Sequence, residues 1–362
     1  MKSLRFNKNF ELNGKSFSSV DELLAFSEAI NTSVFTFLTE WFTTDDYIIV
    51  HTSGSTGKPK PIQLKKEFMI NSAKATGDFF NLKENTTALL CLSTDYIAGK
   101  MMLVRALVLG WKLDIVEAIS NPLKGIEKEY DFSAMVPLQL QDSLENLYKV
   151  KKLIVGGGVV SNELIQQIQS LDTEVFATYG MTETVTHIAV KKLNNLTSLR
   201  GIIKEQSVHS EKPHYKTLPN IQLSLDDRNC LVINAPNVAE GIIVTNDVVS
   251  LISSTGFEWL GRYDNVINSG GVKLHPEKIE EKLSTVISSR FFVIGIPDNK
   301  LGEKLVLLVE GELNELIFNE VKNLKELSKY EIPKEIFFVN TFMETATKKI
   351  QRKKTLDNLF TQ

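Results

Sequence analysis

The segment Tyr47–Lys60, YIIVHTSGSTGKPK, constrains this chain more than any other. It begins with an aromatic and β-branched run, which predicts a strand in a buried sheet position. Small hydroxyl residues and two glycines follow, and the segment ends in Lys-Pro-Lys. Glycine lets a backbone curl so that amides and neighbouring hydroxyls face inward, and lysine adds positive charge. The segment therefore predicts a loop that holds phosphate groups.

The spacing of this loop separates it from the Walker A loop. A Walker A loop has four residues between its first glycine and Gly-Lys, and Ser or Thr follows to bind magnesium. Here two residues separate Gly54 from Gly57, and Pro59 stands where that hydroxyl should be. A P-loop kinase or GTPase is therefore disfavoured. A plain Ser/Gly turn would need neither the preceding strand nor the Lys-Pro-Lys exit.

The composition bounds the class of protein. With 362 residues, 43% of them hydrophobic and 23% charged, the chain is long enough for two or three globular domains. A net charge of −3 gives no electrostatic footprint for nucleic acid or an anionic membrane. We find no signal peptide and no apolar run of membrane-spanning length, and the isolated Cys91 and Cys230 predict neither disulfides nor a zinc knuckle. We expect a cytoplasmic enzyme with no membrane insertion and no nucleic acid partner.

Strands and helices are predicted to alternate after the phosphate loop. A small N-terminal region, residues 1–45, comes first, and Ser19 with Glu22 predicts the capping box of its helix. The predicted strands then span 88–92, 113–116, 132–136, 152–155 and 175–178, with helices over 97–109, from Pro137 onward, and from a Ser161 cap to Ile168. Alternation of this kind predicts a parallel sheet flanked by helices, with ligands at the carboxyl ends of the strands.

The triple glycine Gly156–Gly158 follows one of these strands and precedes a helix. A dinucleotide-binding turn would have a third glycine where Ser161 stands, and an acidic residue about 20 positions on, which we do not find. A Rossmann cofactor site is therefore disfavoured.

The last third of the chain changes character. Residues 215–260 form short predicted strands broken by turns, which is typical of all-β structure. Beyond them we predict a helix that follows 272, strands over 291–296 and 304–309, and a helix over 312–327, which together make a small α+β domain. Near the end stands ETATKKIQRKK, whose five basic residues taken alone would indicate a solvated tail.

Five blocks, spanning residues 47 to 352, resemble in order the motifs of the adenylate-forming superfamily of acyl-CoA ligases, luciferases and adenylation domains. The blocks are TSGSTGKPK, YGMTET, TNDVVSL, GRYDNVINSGGVKLHPEKIE and ETATKKIQR. The resemblance implies an α/β fold with two domains. Residues 1–262 would form a large N-terminal ATP- and acyl-binding domain with a β-rich part, and residues 263–362 a small mobile lid domain. The chain is shorter than typical members before residue 47, which predicts that much of the usual N-terminal subdomain is lacking.

The resemblance also implies a site for ATP and Mg²⁺. The residues that would hold the phosphates are Thr52, Ser53, Ser55, Thr56, Gly57 and Lys58. Adenine would lie on the shelf of Gly156, Gly157 and Gly158 and against Tyr179, Gly180 and Met181. Asp247 and Arg262 would bind ribose or the α-phosphate. Thr182 offers a hydroxyl to a phosphate, and Glu183 offers a carboxylate to magnesium, which prefers oxygen ligands. Asn246 replaces the glycine that the family has before its ribose-binding aspartate.

Two further positions concern the C-terminal domain. Asp264 falls at the family's hinge, and Lys349 takes the place of its catalytic lysine. Ile350 and Arg352 stand at the expected offsets from Lys349, which favours this function over a solvated tail. Lys348 replaces the glycine that the family has there, and it remains the alternative to Lys349.

The acyl pocket is the part that distinguishes subfamilies. The stretch DYIAGKMMLVRAL, the short N-terminus and THIA resemble the short o-succinylbenzoate–CoA ligases of menaquinone biosynthesis. That substrate is a dicarboxylate of which one carboxylate reacts, so the other needs a cationic or hydrogen-bonding partner. The candidates are Tyr96, Lys100, Arg105 and His187.

The implied function is the ATP-dependent ligation of a carboxylic acid to coenzyme A through an acyl adenylate, with release of pyrophosphate and AMP. One alternative is another aryl-acid or fatty-acid CoA ligase. A second alternative, from a different class, is a non-catalytic nucleotide-binding protein. The presence of both Glu183 and Lys349 argues against the second alternative, because binding alone needs neither residue.

Overall fold

The structure, a computed structural model, describes residues 6–51, 61–194, 213–345 and 350–361. The predicted phosphate-binding residues Thr52 to Lys58 lie outside these ranges, as do Lys348 and Lys349. Within the described ranges the chain forms twenty strands and nine α-helices, arranged around three sheets. Among these helices we find none with the length and apolar character needed to cross a membrane.

The N-terminal region forms a small hairpin and two helices. Its elements are β1 (Glu11–Leu12), β2 (Lys15–Ser16), α1 (Val20–Ile30) and α2 (Thr32–Trp41). The predicted cap of α1 is confirmed, because the Ser19 hydroxyl accepts from the Glu22 amide at 3.2 Å. The Glu22 carboxylate accepts from the Ser18 amide at 3.0 Å, whereas a capping box would have it accept from the Ser19 amide.

The strand that precedes the phosphate loop belongs to a hairpin of its own. β3 (Tyr47–His51) pairs in antiparallel fashion with β4 (Pro61–Lys65), and the two strands flank residues 52–60 in the sequence. Ile48 and Val50 are buried, but Tyr47 and Ile49 are 40% and 45% exposed. The predicted strand is therefore confirmed, and its predicted buried position holds for one face, because only one face of the hairpin packs on the core.

The predicted alternation of strands and helices is confirmed. The elements are α3 (Lys66–Phe80), β5 (Thr87–Leu90), α4 (Ile97–Leu109), β6 (Lys112–Ile115), β7 (Tyr130–Met135), α5 (Pro137–Asp142), β8 (Val150–Val155), α6 (Asn162–Gln167) and β9 (Glu174–Gly180). Pro137 opens α5, and the Ser161 hydroxyl caps α6 by accepting from the Leu164 amide at 3.2 Å. Strands β6, β5, β7, β8 and β9 are parallel neighbours, so their carboxyl ends meet at one edge.

The β-rich part extends this same sheet. It contains β10 (His187–Lys192), β11 (Tyr215–Thr217), β12 (Gln222–Leu225), β13 (Cys230–Asn234), β14 (Ile242–Ser253) and β15 (Gly256–Arg262), all paired in antiparallel fashion. In the described part of the chain the resulting sheet has thirteen strands in the order β12-β13-β14-β15-β11-β10-β9-β8-β7-β5-β6-β1-β2. The all-β character of residues 215–260 is confirmed, and β10 joins that region to the parallel strands.

The C-terminal part has a separate sheet. Its elements are β16 (Ile267–Ser269), β17 (Val272–Leu274), α7 (Pro276–Leu283), β18 (Phe291–Asp298), β19 (Gly302–Glu310), α8 (Glu315–Asn323), β20 (Glu335–Val339) and α9 (Arg352–Thr361). The helix predicted over 312–327 is shorter at both ends. It begins at Glu315, because the Asn314 side chain caps it by accepting from the Leu316 amide at 3.0 Å, and it ends at Asn323.

Buried side chains form distinct clusters before and after residue 263. In the large sheet, Trp111 and Phe132 meet edge to face at 5.5 Å within one apolar core. In the C-terminal part, Leu283, Val293 and Leu307 are completely buried in another. Residues 263–361 thus have their own sheet and core, which is what a mobile domain requires.

One ion pair connects α9 to the rest of the C-terminal part. The guanidinium of Arg352 donates to both carboxylate oxygens of Glu280, at 2.7 and 2.8 Å, and to the Val293 carbonyl at 3.2 Å. The Glu280 carboxylate also accepts from the Val293 amide at 2.8 Å. Helices α9 and α7 and strand β18 therefore meet at one pair of opposite charges.

We predict that Arg352→Ala destabilises the C-terminal part by about 2 kcal/mol, because it leaves the largely buried Glu280 carboxylate without its cation. Hydrogen–deuterium exchange should show faster opening of α7, α9 and β18 than in the unchanged protein. Lys353→Ala removes an exposed cation from the same helix and is the matched control. Equal exchange in both variants would contradict a structural role for the ion pair.

Candidate active site

The carboxyl edge of the parallel strands collects most of the predicted site residues. Tyr96 follows β5, the triple glycine follows β8, and the YGMTET block lies at the end of β9. Because β5, β7, β8 and β9 are parallel neighbours, these segments leave the sheet at the same edge. The predicted nucleotide shelf and the predicted magnesium ligand are thereby brought to one side of the molecule.

The three glycines serve different purposes. A Cβ atom on Gly156 would lie 2.5 Å from the Thr178 hydroxyl oxygen, so this glycine allows β8 and β9 to approach closely. Gly157 has a φ of +78°, which favours glycine. Gly157 and Gly158 are exposed and leave bare backbone beside Val136 and Pro137. A flat ring can lie on such a surface, so the geometry fits the adenine shelf that the sequence predicts.

The YGMTET block turns sharply after β9. A Cβ atom on Gly180 would lie 2.2 Å from the Thr186 carbonyl oxygen, so the turn needs glycine there. Thr182 begins a short 3₁₀ turn, and the Thr184 hydroxyl accepts from the amide of Met181 at 3.2 Å. Glu183 is exposed on this turn, and in the described part of the chain its carboxylate makes no hydrogen bond or ion pair. An exposed, unpaired carboxylate suits a magnesium ligand.

Val185 closes the turn in a strained conformation. It is completely buried and has φ +67° and ψ −60°, a region that β-branched residues rarely adopt. The Thr186 amide donates to the Thr184 carbonyl at 2.7 Å, which makes a tight γ-turn. Such strain costs about 1–3 kcal/mol and commonly occurs at functional sites. Here it turns the chain so that Glu183 is exposed and His187, two residues beyond Val185, is buried.

Asp247, the predicted ribose ligand, is at the centre of a group of polar contacts. Its carboxylate accepts from the Tyr179 hydroxyl at 2.7 Å and from the Trp259 indole nitrogen at 3.2 Å, and Arg262 Nη1 lies 3.9 Å away. Burial raises the pKa of the Tyr179 hydroxyl, and the charge of Asp247 raises it further, so this hydroxyl remains a donor. The aspartate is thus held rigidly where the sequence predicts a ribose ligand. Sequence analysis missed Trp259, because a lone tryptophan in an all-β segment carries no motif.

The predicted hinge is in contact with this site. Arg262 Nη2 donates to the Asp264 carboxylate at 3.2 Å, and the Asn246 amide donates to it at 3.4 Å. Arg228 in turn donates to the Asn246 side-chain oxygen at 2.9 Å. The asparagine that replaces the family's glycine therefore has a partner, and it links β14 to Asp264, the predicted hinge residue.

Among the four acyl-pocket candidates, Arg105 and His187 lie together. Arg105 is 2% exposed, and its Nε donates to the Thr76 hydroxyl at 3.3 Å. His187 Nε2 lies 3.5 Å from the same hydroxyl. Burial holds the pKa of His187 well below its usual value, and the charge of Arg105 lowers it further, so the imidazole is neutral. Thr76 was not predicted from the sequence, because nothing distinguishes it from other helical threonines.

Within the described ranges the charge of Arg105 has no counterion. In the described part of the chain it forms no ion pair, and its buried Nη2 has no hydrogen-bond acceptor. Burial lowers the pKa of the guanidinium to about 9, which still leaves it cationic at neutral pH. A buried cation without a carboxylate is costly, so its position suits an anion that arrives from outside.

Lys100 and Tyr96 lie elsewhere. The ammonium of Lys100 lies 4.8 Å from the centroid of the Phe37 ring, against α2, and burial lowers its pKa. Five helical positions separate it from Arg105, which turns the two side chains about 140° apart. Tyr96 is 61% exposed at the start of α4. The structure therefore does not bring these two residues to the Arg105–His187 cluster.

A cavity of about 220 Å³ adjoins this cluster. It lies between α3 and the β-rich part, and His187, Ile188, Leu218 and Val238 are among its walls. Ser72 also lines it, and in the described part of the chain the buried Ser72 hydroxyl has no hydrogen-bond partner. Within the same ranges we find no cluster of three His, Cys, Asp or Glu side chains that could hold a metal by themselves.

Comparison with proteins of known sequence gives consistent results. The chain is 23% identical over 334 residues to the 2-succinylbenzoate–CoA ligase of Enterococcus faecalis, covering 84% of this chain and 68% of that protein. It is 26% identical over 342 residues to the 2-succinylbenzoate–CoA ligase of Bacillus cereus, with the same two coverages.

Two solved structures share the fold. An acyl-CoA synthetase (AMP-forming)/AMP-acid ligase II-like protein from Dyadobacter fermentans is 38% identical, with a TM-score of 0.58 over 90% of this chain and 93% of that one. The o-succinylbenzoate coenzyme A synthetase of Bacillus subtilis, solved with ATP and magnesium, is 22% identical, with a TM-score of 0.70 over 85% of this chain and 69% of that one. The predicted adenylate-forming α/β fold is confirmed.

The family assignment rests on the sequence itself. The sequence model described as AMP-binding enzyme matches residues 18–244. That span is more than half of the chain, and it includes β3, β4, the triple glycine and the YGMTET block. The chain therefore belongs to the family of AMP-binding enzymes.

Proposed function

We propose that the protein joins o-succinylbenzoate to coenzyme A in an ATP-dependent reaction. As an AMP-forming acyl-CoA ligase, it would first convert the aliphatic carboxylate of the acid to an acyl adenylate and then transfer the acyl group to a thiol. The observation that carries the choice of acid is Arg105, a buried cation that has no counterion among the residues that the structure describes and whose Nη2 has no acceptor there. The relatives named 2-succinylbenzoate–CoA ligases support the same choice.

The first half-reaction forms one bond and breaks another at the α-phosphorus of ATP. A carboxylate oxygen of the acid attacks this phosphorus, and pyrophosphate leaves. Tyr179 and the glycine shelf would hold adenine, and Asp247 and Arg262 would hold ribose or the α-phosphate. Thr182 would donate its hydroxyl to a phosphate oxygen. This arrangement needs no nucleophile from the protein, because positioning and charge stabilisation supply the catalysis.

Mg²⁺ fits the residues at this edge of the sheet. Glu183 would hold it together with phosphate oxygens of ATP, where it neutralises the negative charge that develops as pyrophosphate leaves. Lys349 would add a positive charge at the same place, and residues 52–58 would take the phosphates.

In the second half-reaction the thiol of coenzyme A is the nucleophile, and it attacks the carbonyl carbon of the acyl adenylate. The sulfur of coenzyme A attacks the acyl carbon, AMP leaves, and the thiol proton passes to solvent. Because Lys349 acts in the first step alone, residues 263–362 would rotate about Asp264 between the steps. The contacts of Asp264 with Arg262 and Asn246 support this position for the hinge, since they tie it to the nucleotide site.

The substrate's second carboxylate explains Arg105. In a pocket that receives the aromatic ring of the substrate, binding this carboxylate without a partner would cost several kcal/mol. Arg105, with Thr76 and the neutral His187 beside it, would supply the cation and hydrogen bonds. Lys100 is the weaker candidate, because its ammonium lies against Phe37.

The first prediction tests the acid. We expect Arg105→Met to lower kcat/KM for o-succinylbenzoate about 100-fold, while kcat/KM for an analogue with hydrogen in place of the benzoate carboxylate changes little. ATP–pyrophosphate exchange with both acids measures the difference. Lys100→Met is the matched control, since it removes a buried cation from the same helix. If the unchanged enzyme uses the neutral analogue as well as the diacid, a broader aryl-CoA ligase is the better assignment.

The second prediction concerns the lysine. Lys349→Ala should slow pyrophosphate exchange by about 100-fold or more, because it removes a charge that acts where the transition state becomes negative. Thioester formation from a supplied acyl adenylate should be spared. Lys348→Ala is the control. A severe loss in the control, with a mild one in Lys349→Ala, would show that the neighbouring lysine is the catalytic one.

The third prediction concerns the hinge. Asp264→Pro fixes φ at about −65°, so adenylation should survive and thioester formation should collapse. Asp264→Ala loses the same contacts with Arg262 and Asn246 but leaves the backbone free, so it should retain both half-reactions. Rapid-quench measurement of each step separates these outcomes. An equal loss of both steps in the proline variant would place the hinge elsewhere.

A further inference from the structure

Helix α7 lies against the large sheet although it belongs to the C-terminal part. The ammonium of Lys278 donates to the Glu258 carboxylate of β15 at 2.6 Å, and to Glu281 on its own helix at 3.1 Å. Lys278 is mostly buried, whereas the two carboxylates are partly exposed. Lys191 of β10 lies near the same group. Burial lowers the pKa of its ammonium, the charge of Glu281 opposes this shift, and the charge of Lys278 adds to it. The contact is therefore a cluster of alternating charges.

A second contact comes from α6. The side-chain amide of Asn162 donates to the Glu281 carbonyl at 2.8 Å and to the Ser284 hydroxyl oxygen at 3.0 Å. Asn162 is the first residue of α6, four residues after Gly158 of the triple glycine. One side chain of the large domain thus holds two oxygens at the end of α7.

The start of α7 fits a gap that only glycine leaves. Gly261 has φ +145°, and a Cβ atom there would lie 2.2 Å from Glu277 Oε2. Glu277 Oε1 accepts from Asn265 at 2.5 Å, but in the described part of the chain the buried Oε2 has no partner, and neither has buried Nδ1 of His275. Unpaired buried polar atoms make a contact easier to open than a fully paired core. The start of α7 therefore packs closely against Gly261, but two of its buried polar atoms lack hydrogen-bond partners in the described part of the chain.

The contacts of α7 with the large domain join residues on opposite sides of Asp264 in the sequence. Asn162, Glu258 and Gly261 precede Asp264 in the chain, whereas α7 follows it. Any rotation about Asp264 must therefore break the contacts of α7 with Asn162, Glu258 and Gly261. By contrast, the pair of Lys282 with Glu331, at 2.6 and 2.8 Å, lies wholly beyond the hinge and moves as a unit.

We propose that Lys278 and Asn162 are positioning residues that hold α7 docked in one of the two domain orientations, and so set how readily the enzyme passes from one half-reaction to the other. This inference rests on the proposed two-step function. The docked contacts favour one orientation, and weakening them shifts the population towards the other. Neither residue touches the reacting atoms.

Half-reaction rates test the proposal. Lys278→Ala and Asn162→Ala should each slow the same half-reaction about three- to fivefold, which is the population shift expected when one partly exposed polar contact is lost. The other half-reaction should stay within about twofold. Lys278→Arg keeps the cation and should restore the rate. Lys282→Ala, the matched control, removes an equally short ion pair from the same helix and should alter neither half-reaction.

Hydrogen–deuterium exchange of residues 276–284 gives an independent readout. Lys278→Ala and Asn162→Ala should raise exchange there, and Lys278→Arg should not. Equal slowing of both half-reactions, slowing of different ones by the two variants, or unchanged exchange overturns the proposal. If the unchanged enzyme shows neither half-reaction, the proposed function fails, and the exchange result alone then decides whether these residues dock α7.

Discussion

The hydrogen bond from Tyr179 to Asp247 connects the two halves of the large sheet at the point where chemistry is expected. Tyr179 ends the last parallel strand, whereas Asp247 lies on an antiparallel strand of the β-rich part. The same carboxylate is near Arg262, which reaches Asp264. A series of polar contacts thus runs from the parallel strands to Asp264, the predicted hinge residue.

The predicted acyl pocket differs from the surroundings of Asp247 in how its buried charge is paired. Asp247 is surrounded by donors, but within the described ranges the buried Nη2 of Arg105 lacks an acceptor, and its Nε donates only to the uncharged Thr76 hydroxyl. Such a group lowers the stability of the empty protein, and an anionic ligand removes that penalty. For the proposed diacid, selectivity would follow from desolvation, because an acid without the second carboxylate would leave the cation unpaired.

Local signals were sufficient for much of the fold. The Ser19 and Ser161 caps, the Pro137 start of α5 and the bounds of α4 were predicted because short-range chemistry determines them. The first residue of α8 was not, since the Asn314 side chain caps the start of this helix with one hydrogen bond. The single thirteen-strand sheet could not be predicted either, because strand order depends on contacts between distant segments.

The residues of the candidate site and of the α7 contact also divide into those that the sequence predicted and those that only the structure identified. Motifs pointed to Asp247, Glu183 and the triple glycine, each of which needs only its neighbours in sequence to be recognised. Thr76, Trp259 and Lys278 gave no signal, because each matters through a partner on a distant element. Sequence spacing did separate Lys100 from Arg105, but only the packing of α2 and α3 showed which one faces His187.

Trp259 gives this protein an optical property. The chain has three tryptophans, and Trp41 and Trp111 are buried in the apolar core. Trp259 is half-buried, and its indole nitrogen donates to Asp247. A change in that hydrogen bond alters the polarity around the ring and therefore its emission. The intrinsic fluorescence of the unlabelled protein thus contains one component that reports directly on the state of the Asp247 carboxylate.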